Sequence, residues 1–162
     1  MNYTPGNFNE LPVKQRMQYG GKDAENQAER FFSTSGMRYQ RYGWNGNDGY
    51  LPDAGIMNVS ATLRAKPDYL VKQIGGGYKF VEVKGCGNAG LKIKLCSIEA
   101  MRAWQKKTPV LLFIWHGTNK QFAFFTLGKL QEMTQGLPVK TFENDGKEYY
   151  QIPCDRFNWQ SP

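Results

Sequence analysis

The chain has 162 residues, of which 40% are hydrophobic and 14% aromatic, enough to bury the core of one domain without disulfide or metal support. Lys and Arg number 21 against 14 Asp and Glu, a formal net charge of +7, which favours polyanionic partners. Cys86, Cys96 and Cys154 are odd in number and lack CxxC spacing, so they indicate neither a disulfide framework nor a zinc site and suit a reducing compartment, the cytoplasm of a cell or of a viral host. The N-terminus lacks the charged, apolar, small-residue order of a secretion signal, and no apolar run approaches membrane length.

Residues 1–20 are polar, carry Pro5, Gly6 and Pro12, and show no sustained period, which predicts an irregular arm closed by Gly20 and Gly21. From Lys22 to about Ser35, Ala24, Ala28, Phe31 and Phe32 form an apolar stripe at helical spacing, with Gly36 as its stop. Glu25 and Glu29 lie four apart on this helix and share a flank beside the stripe; an acid near a helix start also suits the macrodipole. Met37 to Trp44 alternates as a strand, with Met37 and Tyr39 on one side and Arg38 on the other. Residues 45–64 read as a polar loop, long enough to suggest a functional one. It contains a Pro52-Asp53 pair followed by Ala54-Gly55 rather than by a strand.

Ala65 to Lys84 is the most informative stretch. Tyr69 to Ile74 and Tyr78 to Val83 are aromatic and β-branched runs around three glycines, which predicts an antiparallel hairpin turning near Gly76. Glu82 and Lys84 interrupt the second run two residues apart, so both project from one face. That turn places Asp68 opposite Lys84 and one step diagonally from Glu82. Two carboxylates and an amine at one end of a sheet suit Mg²⁺, which takes one or two carboxylates and keeps waters and phosphate oxygens as its other ligands. A lysine beside it can steady a developing anion or help an attacking water. The same trio would also serve as an ordinary surface ion-pair cluster.

Further on, Leu91 to Leu95 alternates strictly and sets Lys92 and Lys94 on one strand face, where they either guard an edge or hold a phosphate backbone. Ser97 is the expected N-cap of a helix to about Lys107, with Ile98, Met101 and Trp104 inward and Arg102, Lys106 and Lys107 outward. Pro109 to Trp115 is an unbroken apolar run, as in a strand buried on both faces. Gln121 to Thr126 is its neighbour, and Leu127 to about Thr134 a closing helix. Val139 to Phe142 and Glu148 to Ile152, joined through Asn144-Asp145-Gly146, predict an added hairpin. His116 is the sole histidine, so histidine-metal, serine-triad and zinc-deaminase chemistries lack partners. The three glycines lead into a strand and not a helix, so no phosphate loop occurs and no nucleotide cofactor is expected. Residues 60–107 hold ten Lys and Arg against three Asp and Glu, while the remainder balances at eleven each. The positive excess therefore surrounds the hairpin and points to nucleic acid; a membrane surface is disfavoured because no basic amphipathic helix is present.

Pro67-Asp68, thirteen residues, then Glu82-Val83-Lys84 resembles the bipartite signature of the PD-(D/E)xK nuclease superfamily. Gly21-Lys22-Asp23-Ala24-Glu25, with Gly36 eleven residues later, resembles the first helix of the Holliday junction resolvases within it. The likeness runs from about Gly21 to about Thr126, with loop 45–64 longer than the pattern. It implies an α/β, restriction-endonuclease-like fold: a mixed β-sheet core flanked by helices over residues 21–135, an N-terminal arm over 1–20, and an added C-terminal hairpin and tail over 136–162. It also implies Mg²⁺-dependent hydrolysis of DNA phosphodiesters, with Mn²⁺ able to substitute. On that pattern Asp68, Glu82 and the backbone of Val83 bind the metal, and Glu25 completes the set with Glu29 as the alternative. Lys84 positions or activates the attacking water. Lys92, Lys94, Arg38, Arg41, Lys106 and Lys107 are the expected DNA contacts. A resolvase would act as a homodimer, because a four-way junction needs two symmetric cuts. A less selective endonuclease or exonuclease, or a catalytically idle nucleic-acid-binding module, are the alternatives on the same fold.

Overall fold

The computed structural model describes residues 20–43 and 65–162; the expected arm before Gly20 and the loop 45–64, with its Pro52-Asp53, lie outside them. Within them the chain runs α1 (Lys22–Thr34), β1 (Arg38–Arg41), β2 (Tyr69–Lys72), β3 (Tyr78–Cys86), β4 (Leu91–Lys94), α2 (Leu95–Gln105), β5 (Val110–His116), β6 (Gln121–Thr126), α3 (Leu127–Thr134), β7 (Lys140–Thr141) and β8 (Glu148–Ile152). None of its described helices is long and apolar enough to cross a membrane.

Five strands form a sheet in the order β1-β2-β3-β5-β6. Only β3 and β5 run parallel, joined by the crossover through α2, and the other pairs are antiparallel. The architecture is the expected mixed α/β one. All seven residues of β5 are buried, as its apolar run requires of a strand covered on both faces.

The spacing of the α1 stripe decides where that helix packs. Ala24, Ala28 and Phe32 fall on one face and are fully buried against Tyr69, Val71, Val81, Val83 and Phe113; burying Phe32 alone contributes about 2 kcal/mol. The end is closed by Gly36 N–H to Ser33 O at 3.2 Å and Met37 N–H to Phe32 O at 2.8 Å, a Schellman pair. The opposite sheet face, with Phe80, Leu112 and Ile114, is covered by Ile98, Met101 and Trp104 of α2 and by Leu127, Leu130 and Met133 of α3.

Four expectations need adjustment. The hairpin register pairs Tyr69 with Val81 and Lys72 with Tyr78, centring the turn on Gly75; one step further, Asp68 stands beside Glu82 and not opposite Lys84. Helix α2 begins at Leu95 directly out of β4, with Lys94 at its N-cap and no side-chain cap, so Ser97 is inside the first turn. The strand after α1 is only four residues long and fully exposed. The C-terminal hairpin forms, but β8 also pairs with β4, so β4 leaves the central sheet and the hairpin completes a second, three-stranded one.

His116 ends β5 almost completely buried. Its Nδ1 accepts the Asn119 N–H at 3.1 Å, which leaves the proton of the neutral ring on Nε2, 3.6 Å from Cys154 Sγ. Burial pushes its pKa below the ordinary value.

Candidate active site

The site is created by unequal strand lengths. Pairing of β2 with β3 stops at Val81, yet β3 continues to Cys86 alongside β5. From Glu82 onward β3 therefore has β5 on one side and, among the described residues, a gap with no paired strand on the other. Backbone polar groups alternate along a strand. The Phe80 N–H points to β5, donating to Pro109 O at 2.9 Å, so that of Val83 points into the gap. It donates to Asp68 Oδ2 at 2.7 Å, and the Asp68 carbonyl accepts from Tyr42 N at 2.8 Å and Gly43 N at 3.1 Å. Asp68 is thus fixed at both backbone and side chain just where the sheet opens.

Glu82 and Lys84 share the α2 side of β3. Lys84 Nζ lies 2.5 Å from Glu82 Oε1, with side chains 34% and 13% exposed. A cleft of about 220 Å³ is lined by Ala65, Lys66, Asp68 and Glu82 on one wall and by Ser97, Ala100 and Met101 of α2 on the other. Glu25 approaches from α1, on the far side of the sheet. A Cβ at Gly85 would meet Gly20 O at 3.1 Å and Ala24 Cβ at 3.7 Å; the absence of a side chain there lets α1 start against β3, beside Lys84.

The four charged groups act on one another. Burial pushes the Glu82 carboxyl up to about 6, and Asp68 adds to the rise against the pull of Lys84. Burial also raises the Glu25 pKa, reinforced by Asp68 and Glu29 and opposed by Arg41. For Lys84, burial works against the charged form, but Glu82, Asp68 and Glu25 outweigh it and hold the pKa above the ordinary lysine value. Lys84 is consequently a fixed cation at neutral pH, a hydrogen-bond donor and not a proton acceptor.

Of the residues expected to converge, Asp68 and Glu82 line the cleft, Val83 N–H meets Asp68 and Lys84 pairs with Glu82, while Glu25, across the sheet, acts on Asp68 and Lys84 only electrostatically. None of the expected DNA contacts is among the residues that line the cleft. Lys94 pairs with Asp145 at 3.0 Å, and Lys92 and Lys94 stand over the Phe142 ring at 5.9 and 5.2 Å, on the second sheet. Lys106 and Lys107 follow α2 and sit about 15 Å along its axis from Ser97. Arg38 is exposed, paired with Lys72 across the β1–β2 ladder. Arg41 is engaged with Glu29 and Glu25. Lys66 and Ser97 were not anticipated in the cleft; the Lys66 charge one residue before Pro67-Asp68 was the available signal, whereas Ser97 reaches it only because α2 starts early.

No family model matches the sequence, and no curated protein matches it. In structure the chain is similar to Hjc, a Holliday junction resolvase from Archaeoglobus fulgidus, at a TM-score of 0.47 and 11% identity over 84% of this chain and 90% of that one. It is also similar to D212, a nuclease from a fusselovirus, at a TM-score of 0.48 and 12% identity over 99% of this chain and 90% of that one. At these similarities the α/β assignment rests on strand order and register, and the chemistry on the residues of the cleft.

Proposed function

We propose that this chain is a Mg²⁺-dependent DNA endonuclease whose reaction centre is the gap between Asp68 and β3, structure-selective in the manner of a junction resolvase. The observation that carries the reading is that Asp68, Glu82 and Lys84 come together where pairing of β2 with β3 stops, with Asp68 and Glu82 lining a cleft. Such a group is poorly explained as a surface ion-pair cluster, because Glu82 is buried at the cost of a raised pKa and exposed pairs contribute little in return.

The donor set fits a hard cation. Asp68 and Glu82 supply two carboxylates, and the carbonyl of Val83 shares the orientation of its N–H toward the gap. Among the described residues no three His, Cys, Asp or Glu side chains are grouped to hold an ion unaided; two carboxylates with waters and phosphate oxygens is the pattern Mg²⁺ accepts and a structural zinc does not. When bound, the ion would polarise a phosphoryl oxygen and lower the pKa of a coordinated water. Asp68 and Glu82 would hold it, and Glu25 would complete the shell directly or through water. Lys84, kept protonated by the surrounding carboxylates, donates to the attacking water or to the developing phosphoryl anion. Lys66 and Ser97 line the path a phosphodiester takes into the cleft. The basic surplus of residues 60–107 attracts the polyanion.

Labelled four-way junction, flap, duplex and single-stranded DNA incubated with the protein in Mg²⁺ or in EDTA tests the proposal. Symmetric cuts in the junction, present in Mg²⁺, absent in EDTA and absent for Asp68→Asn, are expected. Equal cleavage of all four substrates removes the structure selectivity, and no cleavage of any removes the nuclease.

A further inference from the structure

Arg41 lies on an exposed edge strand, where a basic residue ordinarily just discourages pairing with another sheet. Its guanidinium instead turns onto α1. Nε and Nη2 lie 2.8 and 2.7 Å from Glu29 Oε1, and Nη1 donates to Glu25 Oε2 at 3.1 Å. The Tyr69 hydroxyl, from a fully buried ring on β2, donates to the same Glu29 oxygen at 2.7 Å. Two acids one helical turn apart would repel each other; here one planar fork joins them and a buried phenol anchors the fork. All three contacts fall on Glu29 Oε1, which holds that side chain between Arg41 and the buried phenol. Among the described residues Glu25 accepts one hydrogen bond, at Oε2, and besides Arg41 and Glu29 its electrostatic neighbours are Asp68 and Lys84 of the candidate site.

We infer that Arg41, with Glu29 and Tyr69, is a brace that fixes the rotamer of Glu25, so that Glu25 is the helix ligand to the divalent cation, Glu29 is its support, and Arg41 is a positioning residue. The inference rests on the metal-site reading proposed above. It separates two glutamates that helical spacing alone leaves equivalent. Stability is a poor explanation for the pairing, since Arg41 and Glu25 are 43% and 36% exposed and exposed pairs contribute little. Orientation is what a fork provides that donates through Nε to one glutamate and through Nη1 to the other.

The test is Mg²⁺ binding to the whole protein, without DNA, by calorimetry. Arg41→Met and Glu29→Gln should each weaken binding about 10-fold, the size expected when a group that orients a ligand is removed. In a Glu25→Gln background Arg41→Met should add nothing, because both changes act through one side chain. Binding unchanged or tighter in Arg41→Met, as loss of a nearby positive charge alone would produce, overturns the brace, and so does a fully additive double variant. Should Arg41→Met fail to fold, Tyr69→Phe keeps the buried ring and carries the same test: weaker binding only when Glu25 is intact supports the brace, and unchanged binding overturns it. Asp68→Asn separates the two levels. If it leaves Mg²⁺ binding intact the metal site itself is wrong, whereas if it abolishes binding while the Arg41 and Glu29 variants do nothing, the brace alone is wrong.

Discussion

Replacing Glu82 by Gln keeps the size and the oxygen facing Lys84 but removes a buried ionisable group. In the folded chain this carboxyl titrates at about 6, against an ordinary value of 4.5, because burial and Asp68 oppose its charge more than Lys84 favours it. A carboxyl that holds its proton more tightly when folded stabilises the fold where it is protonated. That contribution is complete below about pH 4.5 and lost as the pH rises through about 6. At about 1.4 kcal/mol for each pH unit the difference amounts to about 2 kcal/mol, and with the side chain only 13% exposed solvent screening reduces it little. Relative to the parent chain, Glu82→Gln should therefore be more stable at pH 7.5 than at pH 4.5 by about 2 kcal/mol. In a chain of this size that is about 4–8 °C in melting temperature. Thermal unfolding of both proteins in EDTA at the two pH values reads it directly. Saturating Mg²⁺ at pH 7.5 should reverse the order, since only the parent retains both carboxylates. A stability difference that does not change with pH refutes the claim that the site keeps Glu82 ionised against its surroundings.

Asp68→Asn and Lys84→Ala should each abolish cleavage in Mg²⁺ while DNA affinity in EDTA stays nearly unchanged; retained turnover in both, measured on labelled DNA, contradicts the site. At Mg²⁺ well below saturation, cleavage by the parent should fall as the pH drops through about 6, where the proton competes with the ion for Glu82, and a flat profile between pH 5 and about 8 under that condition argues against a role for that carboxylate. If Lys92 and Lys94 hold phosphates, replacing both with Ala should flatten the dependence of log affinity on log salt by about 0.9 for each phosphate no longer neutralised, whereas an unchanged slope leaves them as packing for Phe142. Gly90→Ala, at φ +87° and with its Cβ 2.2 Å from Ile152 O, should cost at least about 2 kcal/mol in thermal unfolding and loosen β4 from β8. A cost under about 0.5 kcal/mol would mean that the link relaxes freely.

Much of this molecule is written locally. The Ala24, Ala28, Phe32 stripe and the apolar run of β5 each follow from a local pattern. Glu82 and Lys84 are legible because they interrupt such a pattern, and Asp68 because it stands just before the strand that pairs with theirs. What was not legible depends on distance in the chain. Three consecutive glycines fix a turn but not its centre, so the register slipped and with it the neighbour of Asp68. The alternation of Leu91 to Lys94 identifies a strand without saying which sheet it joins, and only β8, more than fifty residues on, decides that. That choice sets Lys92 and Lys94 beside Phe142 on the second sheet. Nothing near Arg41 indicates that it reaches Glu29 and Glu25 across α1, and Gly85 reads as a linker glycine until α1 is found lying against it.

The most direct measurement is the position of a divalent ion: crystals of the parent chain and of Asp68→Asn soaked in Mn²⁺, with the anomalous signal located. One peak between the Asp68 and Glu82 carboxylates, with Glu25 oriented toward it, present in the parent and lost in Asp68→Asn, is expected. A parent crystal with no peak in the gap, or with its strong peak at another cluster of oxygens, contradicts the assignment of this cleft as a metal-dependent reaction centre.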